Sequence, residues 1–364
     1  MKKVIQTAQV FVILILCLSH AKGQSIPNIK QDSIVYYNDT VKIGATISYP
    51  VNVSNNQIAV VLVSGTGKQN RDGLMAGHKM FEVLADSLTQ KGIVVLRSDD
   101  RGVGISTGDY DKATTGDFAK DAIAGMNYLY ARKDLNIVKV GMIGHSEGGM
   151  AAAIAASANK RVSFVISLSS PGQTGLDALL LQNRVLVHSA SISDINKIRF
   201  DSVNNLLFHV VYNNKQSDSL ESEIRKAYAE WKIWDDSVVK ANNLQYGGHF
   251  FFPLESYIRQ AKMRWYQYFI HYNPAEVLPK IHVPYFAING DKDLISDGKT
   301  NLEGIEKYLD ASKNKNVKIW LVPGLNHLYQ HCISCKADEY DKLPEAFAPE
   351  VVKAITRWIL SLKM

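Results

Sequence analysis

Cysteine is scarce in this chain: Cys17, Cys332 and Cys335 are the only three in 364 residues. Acidic side chains are missing altogether from residues 1–23. Repeats and low-complexity stretches are absent. No basic run carries interleaved aromatics, which argues against a nucleic-acid partner. The apolar run at residues 10–18 follows Lys2 and Lys3 and precedes the small residues Ala21 and Gly23. That is the layout of a secretory signal peptide over 1–23, leaving Gln24 first. The run is too short to serve as a stable membrane anchor. Leu16 stands before Cys17, where a lipoprotein would need a small residue. Removing Lys2, Lys3 and Lys22 halves the formal net charge of +6, again unlike a nucleic-acid binder. The expected location is outside the cytoplasm, periplasmic or secreted. There, Cys332 and Cys335 read as a local disulfide, with free thiols or a metal site as alternatives.

What is present is a strand-and-helix alternation. Residues 33–37 and 41–49 alternate as two strands joined by a turn at Asn38-Asp39. Residues 58–63 form an unbroken apolar run, the mark of a strand buried on both faces. A helix over 78–90, a strand over 93–96 and a helix over 117–132 follow. A strand over 138–143, a helix over 149–156 and a strand over 164–167 come next. The rhythm stops at Pro171-Gly172 and returns at 284–289 and 317–322, with a final helix over 349–362. This predicts an α/β fold with a mostly parallel central sheet flanked by helices. Its core comprises 24–171 and 276–364. Residues 172–275 form a helical insertion over the C-terminal edge of the sheet, where ligands of open α/β sheets bind. The insertion is rich in aromatics: Trp231, Trp234, Phe250-Phe251-Phe252, Trp265, Tyr266, Tyr268 and Phe269. Most of these are expected to form its own core.

The chemistry concentrates at Gly144-His145-Ser146-Glu147-Gly148. A strand leads into this run and a helix leaves it, so it reads as a nucleophile elbow with Ser146 at the tip. A serine hydroxyl needs a base, and the base needs an orienting acid. His327 follows the last strand pattern and is the expected base. Asp293, on the loop after 284–289, is the expected acid, with Asp291 its main rival and Asp297 on the same loop. An oxyanion needs two donors. Glu147 supplies one backbone N–H, and the loop Ser64-Gly65-Thr66-Gly67 supplies the other, most naturally from Thr66, with Gly65 and Gly67 as alternatives.

These motifs resemble the α/β-hydrolase superfamily, and within it bacterial carboxylesterases and serine-aminopeptidase-like hydrolases. The resemblance extends to Arg71-Asp72-Gly73, to Asp99-Asp100-Arg101-Gly102, to Asn289-Gly290-Asp291-Lys292-Asp293 and to Leu325-Asn326-His327. It implies a triad on Ser146, Asp293 and His327 and a helical cap over the site. Leu294-Ile295-Ser296 departs from the family, which more often has a glutamine and a valine there. The cysteine pair is a second departure. The function expected is cofactor-free hydrolysis of small-molecule carboxylic esters through an acyl-enzyme. A peptidase or an acyltransferase would use the same groups, and a non-catalytic binding protein is the alternative from another class. Arg71, Asp99 and Arg101 are expected to form an ion-pair network behind the oxyanion loop rather than to bind substrate. The Glu147 side chain is expected to make only a local hydrogen bond.

Overall fold

The apolar run at 58–63 becomes β3 (Gln57–Val63), in which every residue is buried. A computed structural model describes residues 29–215, 217–244 and 253–362. The expected signal segment with Cys17, and Phe250-Phe251-Phe252, lie outside the described residues. β3 sits in an eight-stranded sheet. The order is β1 (Ile29–Asn38), β2 (Val41–Pro50), β6 (Val94–Ser98), β3, β7 (Ile137–His145), β8 (Val162–Leu168), β9 (Tyr285–Gly290) and β10 (Val317–Val322). β2 is antiparallel to both its neighbours, and every other adjacent pair is parallel.

Alternation along β3 explains how both faces are covered. Ala59, Val61 and Val63 pack with Ala122 and Met126 of α2 (Thr115–Ala131), Ala151 and Ala155 of α3 (Glu147–Ala158), and Leu302 and Ile305 of α10 (Gly298–Ala311). Ile58, Val60 and Leu62 pack on the other side with Leu84 and Leu88 of α1 (Met80–Thr89) and Ile355 and Ile359 of α11 (Pro349–Ser361). The period of two in the strand meets the period of about four in the helices.

Helix α1 starts two residues later than the apolar pattern suggested. β4 (Leu74–Met75) and β5 (His78–Lys79) form a small antiparallel hairpin ahead of it. Ala76 and Gly77 turn that hairpin with φ of 46° and 78°, and a chain in that conformation cannot also start a helix. Helix α2 starts two residues earlier than expected. Thr114 and Asp117 close a reciprocal capping box there.

Between β8 and β9 the described residues are mainly helical: α4 (Gly175–Ser189), α5 (Asp194–Asn213), α6 (Leu220–Ala241), α7 (Leu254–Ala261), α8 (Arg264–Ile270) and the single turn α9 (Pro274–Val277). These helices share a core of Val203, Leu207, Phe208, Ile224, Tyr257 and Tyr266. Of the aromatics singled out, Tyr266 and Phe269 are buried, whereas Trp234 and Tyr268 are exposed. Among the described residues no helix is long and apolar enough to cross a membrane.

One buried ion pair ties α5 to α6. Arg199 and Asp235 are each 2 % exposed and meet in a two-point contact, Nε to Oδ1 at 2.5 Å and Nη2 to Oδ2 at 3.0 Å. Removing Asp235 leaves the buried Arg199 charge with a neutral partner, Asn196 Oδ1 at 2.6 Å. Asp235→Ala is therefore expected to cost about 3–5 kcal/mol, read as a lowered melting temperature. Asp235→Asn, which keeps an acceptor, is expected to cost less. Equal melting temperatures for Asp235→Ala and the parent would contradict this account of the pair.

Candidate active site

Ser146 stands alone between the end of β7 and the start of α3, with φ 54° and ψ −123°. A serine in that region is strained, and the surrounding packing must hold it there. Its N–H donates to the Leu168 carbonyl at 2.7 Å, and the Gly149 N–H donates back to its own carbonyl at 3.0 Å. The flanking glycines are a steric necessity. A Cβ on Gly144 would lie 2.0 Å from the Gly148 carbonyl oxygen, and a Cβ on Gly148 would lie 2.2 Å from that of Val63. The N-terminal end of α3 thus abuts β3 and β7, backbone against backbone.

His327 and Asp293 come together as the sequence suggested. The His327 Nδ1 lies 2.8 Å from Asp293 Oδ2, and both residues are buried. Asp293 Oδ1 accepts the N–H of Ile295 at 2.9 Å and of Ser296 at 2.8 Å, and Asn289 Nδ2 donates to Oδ2 at 3.1 Å. Burial pushes this carboxyl up, but the His327 charge and hydrogen bond and the two N–H groups outweigh it, so its pKa is lowered. A carboxylate can only accept, so Nδ1 carries a hydrogen, and in the neutral imidazole the lone pair is then on Nε2. His327 and Ser146 line one cavity of about 250 Å³.

The rival residues have other tasks. Asp291 Oδ1 accepts the Gly324 N–H at 2.6 Å and braces the loop that leads to His327. Asp297 caps α10 by accepting the Thr300 N–H at 2.9 Å, and it also lies on the cavity wall. His331 faces Glu345 at 2.6 Å and Glu350 at 3.1 Å. His145 is buried, which pulls its pKa down to about 3 and keeps it neutral. Its Nε2 lies 2.8 Å from the His327 carbonyl, so it donates there and braces the backbone of the base.

The loop after β3 runs beside Ser146. A Cβ on Gly65 would sit 3.1 Å from the Ser146 Cβ. The Gly67 N–H is already spent on the Tyr110 hydroxyl at 2.6 Å, which removes it as a donor to a ligand. No acceptor among the described residues takes the Thr66 N–H. Glu147 is the first residue of α3, where an N–H has no partner within the helix.

The side chain of Glu147 departs from expectation. It is not engaged locally. It is 1 % exposed and binds Thr66, Thr115 and Trp265, three residues far from it in sequence. Asp100 sits nearby, accepting Ser64 Oγ at 2.5 Å and the Gln69 N–H at 2.8 Å, and burial pushes it up to about 7. Arg71 grips Asp99 through Nε at 3.1 Å and Nη2 at 2.5 Å, and Arg101 grips Asp121 at 2.7 and 2.9 Å. Arg71, Asp99 and Arg101 are all off the cavity wall, in keeping with a supporting network.

Of the unusual run Leu294-Ile295-Ser296, Ile295 and Ser296 face the cavity. Cys332 and Cys335 are joined as a disulfide just beyond the His327 loop. Three residues important to the geometry carried little signal in the sequence. Asn289 was visible only as part of the run Asn289-Gly290-Asp291-Lys292-Asp293. Trp265 stood out only as one of the insertion's aromatics and Thr115 had nothing to mark it, because their role depends on Glu147.

The comparisons with known proteins agree with this architecture. The family model described as alpha/beta hydrolase fold matches residues 59–328. A stretch of 92 residues is 35 % identical to Esterase EstD of Thermotoga maritima, spanning 25 % of this chain and 22 % of that relative. Est1E from Butyrivibrio proteoclasticus, solved with bound ferulic acid, superposes with a TM-score of 0.51 at 16 % identity, over 90 % of this chain and 98 % of that one. A proline iminopeptidase from Mycobacterium smegmatis gives 0.52 at 13 % identity, over 91 % and 100 %. With the strand order, the elbow and the matched span in agreement, this chain belongs to the alpha/beta hydrolase fold family.

Proposed function

We propose that this protein is an exported serine hydrolase that cleaves small carboxylic esters. The observation that carries the reading is the cavity shared by the strained Ser146 and His327, whose Nδ1 is hydrogen-bonded to Asp293 behind it. His327 Nε2 takes the Ser146 proton as Oγ attacks the acyl carbon. The N–H groups of Thr66 and Glu147 receive the oxyanion. His327 then protonates the leaving alcohol, and water, activated by the same nitrogen, releases the acid from the acyl-serine. Asp293 stays ionised throughout and stabilises the imidazolium. Every group used is a side chain or backbone group of this chain.

The esterase relative and the small cavity support esters as the substrate class. Met75, Leu179, Leu181 and Phe269 on the cavity wall suit a short acyl chain. The apolar segment at 10–18 and the disulfide between Cys332 and Cys335 support export to the periplasm or medium. An aminopeptidase reading has one observation in its favour. Asp297 lies on the cavity wall with its Oδ1 engaged by Thr300, and a substrate ammonium needs such a carboxylate. Glu147 does not offer this, because its carboxylate is committed to three donors and lies off the wall.

Ser146→Ala is expected to abolish ester hydrolysis with an unchanged melting temperature, and a fluorophosphonate probe should label the parent and not the variant. Persistent labelling would move the nucleophile elsewhere. Asp293→Asn should lower kcat by about 10⁴-fold, as loss of the orienting acid does in such triads. Asp291→Asn should lose far less. Comparable losses in the two variants would reopen the choice of acid. In turnover assays short p-nitrophenyl esters should outpace aminoacyl anilides. Faster anilide cleavage that is lost in Asp297→Asn would establish the aminopeptidase reading instead.

A further inference from the structure

In the reaction above Glu147 lends only a backbone N–H, yet its side chain joins three parts of the molecule. Oε2 accepts Thr66 Oγ1–H at 2.8 Å. Oε1 accepts Thr115 Oγ1–H at 2.6 Å and Trp265 Nε1–H at 2.8 Å. Thr66 belongs to the loop beside Ser146, Thr115 opens α2, and Trp265 belongs to α8 of the inserted helices. Trp265 and Thr66 also line the cavity. Burial raises the pKa of this carboxyl and its three partners lower it, so the group is held in place at a cost. None of the three partners carries a charge. If packing alone mattered, an apolar side chain of this size would serve as well.

The loop has other anchors: at the apex itself the Thr66 carbonyl accepts only a long bond from Gln69 Nε2, at 3.5 Å, and the shorter ones flank it. Asp100 holds Ser64 and Gln69, and the Tyr110 hydroxyl holds Gly67. Among the described residues the Thr66 hydroxyl donates to Glu147 alone. We propose that Glu147 is a positioning residue: its side chain sets the Thr66 N–H against its own N–H, so that one residue fixes the spacing of both oxyanion donors. The hydrogen bond to Trp265 makes that spacing depend on the inserted helices being seated on the core. Substrate contact with the Trp265 ring on the cavity wall therefore bears on the oxyanion pocket directly. The inference rests on the ester-hydrolysis reading and adds to it.

The test uses the full chain and four variants at three positions. Thr66→Val keeps the backbone N–H and the shape but removes the hydroxyl. Trp265→Phe removes only the indole donor. Glu147→Leu removes the hub, and Glu147→Gln restores acceptors to Thr115 and Trp265 with an N–H that can donate to Thr66. Turnover of a p-nitrophenyl ester and affinity for an alkylboronic acid, which forms a tetrahedral anion on serine, are read for each. Deleting a whole donor costs about 10²–10³-fold in kcat, so misplacing one should cost about 10-fold or more. Thr66→Val, Trp265→Phe and Glu147→Leu are expected to lower kcat by that factor, with KM little changed and boronate affinity falling in parallel. Glu147→Gln should recover most of what Glu147→Leu loses. Parent-like kcat and boronate affinity in Thr66→Val would overturn the inference, as would losses confined to melting temperature or KM. If the parent neither turns over esters nor takes a fluorophosphonate on Ser146, it is the hydrolase reading that has failed.

Discussion

Backbone pressed against backbone at the elbow is the constraint on which the site rests. The N-terminal end of α3 approaches β3 and β7 so closely that Gly144 and Gly148 can have no side chain. Only under that compression does Ser146 keep a φ of 54°. The same contact brings the N-terminus of α3 beneath the serine and the loop after β3 beside it. Nucleophile, helix dipole and candidate oxyanion donors are thus fixed by a single packing event. The central strands of the sheet behind it, β3 above all, are buried on both faces and supply the rigidity that strain requires.

Two buried carboxylates around this point show how partners decide what burial does. Asp293 has an imidazole that can carry charge, two backbone N–H groups and an amide, and its acid form is disfavoured. Glu147 has two hydroxyls and an indole, all neutral, and burial prevails. The first environment suits a group that must face a developing cation. The second suits a group whose value lies in geometry. Asp100, partly buried with neutral donors, falls in the second class.

Much of this was legible in the sequence. The apolar run of β3 and the glycine pattern around Ser146 are consequences of burial and close approach, and both leave local traces. Asp293 and His327 were found because each follows a strand at the end of the sheet where the elbow lies. The choice between Asp291 and Asp293 was not local. Two residues apart on one loop, they turn to different partners, Gly324 and His327. β5 fell within the helix expected over 78–90, because a two-residue strand has too little pattern to outweigh the helix that follows it. Glu147 was the largest surprise. Its three partners lie in three distant segments, and no spacing along the chain records such a convergence.

Order along the chain gives the fold a timetable. The elbow is assembled from β3, β7 and β8, whereas the loops bearing Asp293 and His327 leave β9 and β10, the two strands that close one side of the sheet. A growing or threading polypeptide therefore presents the serine turn first and receives its histidine only when those late strands dock. Until then Ser146 is an unassisted alcohol. The outermost strand of a sheet is also where opening is easiest, so the same edge that switches the site on during folding is the first place it can be switched off.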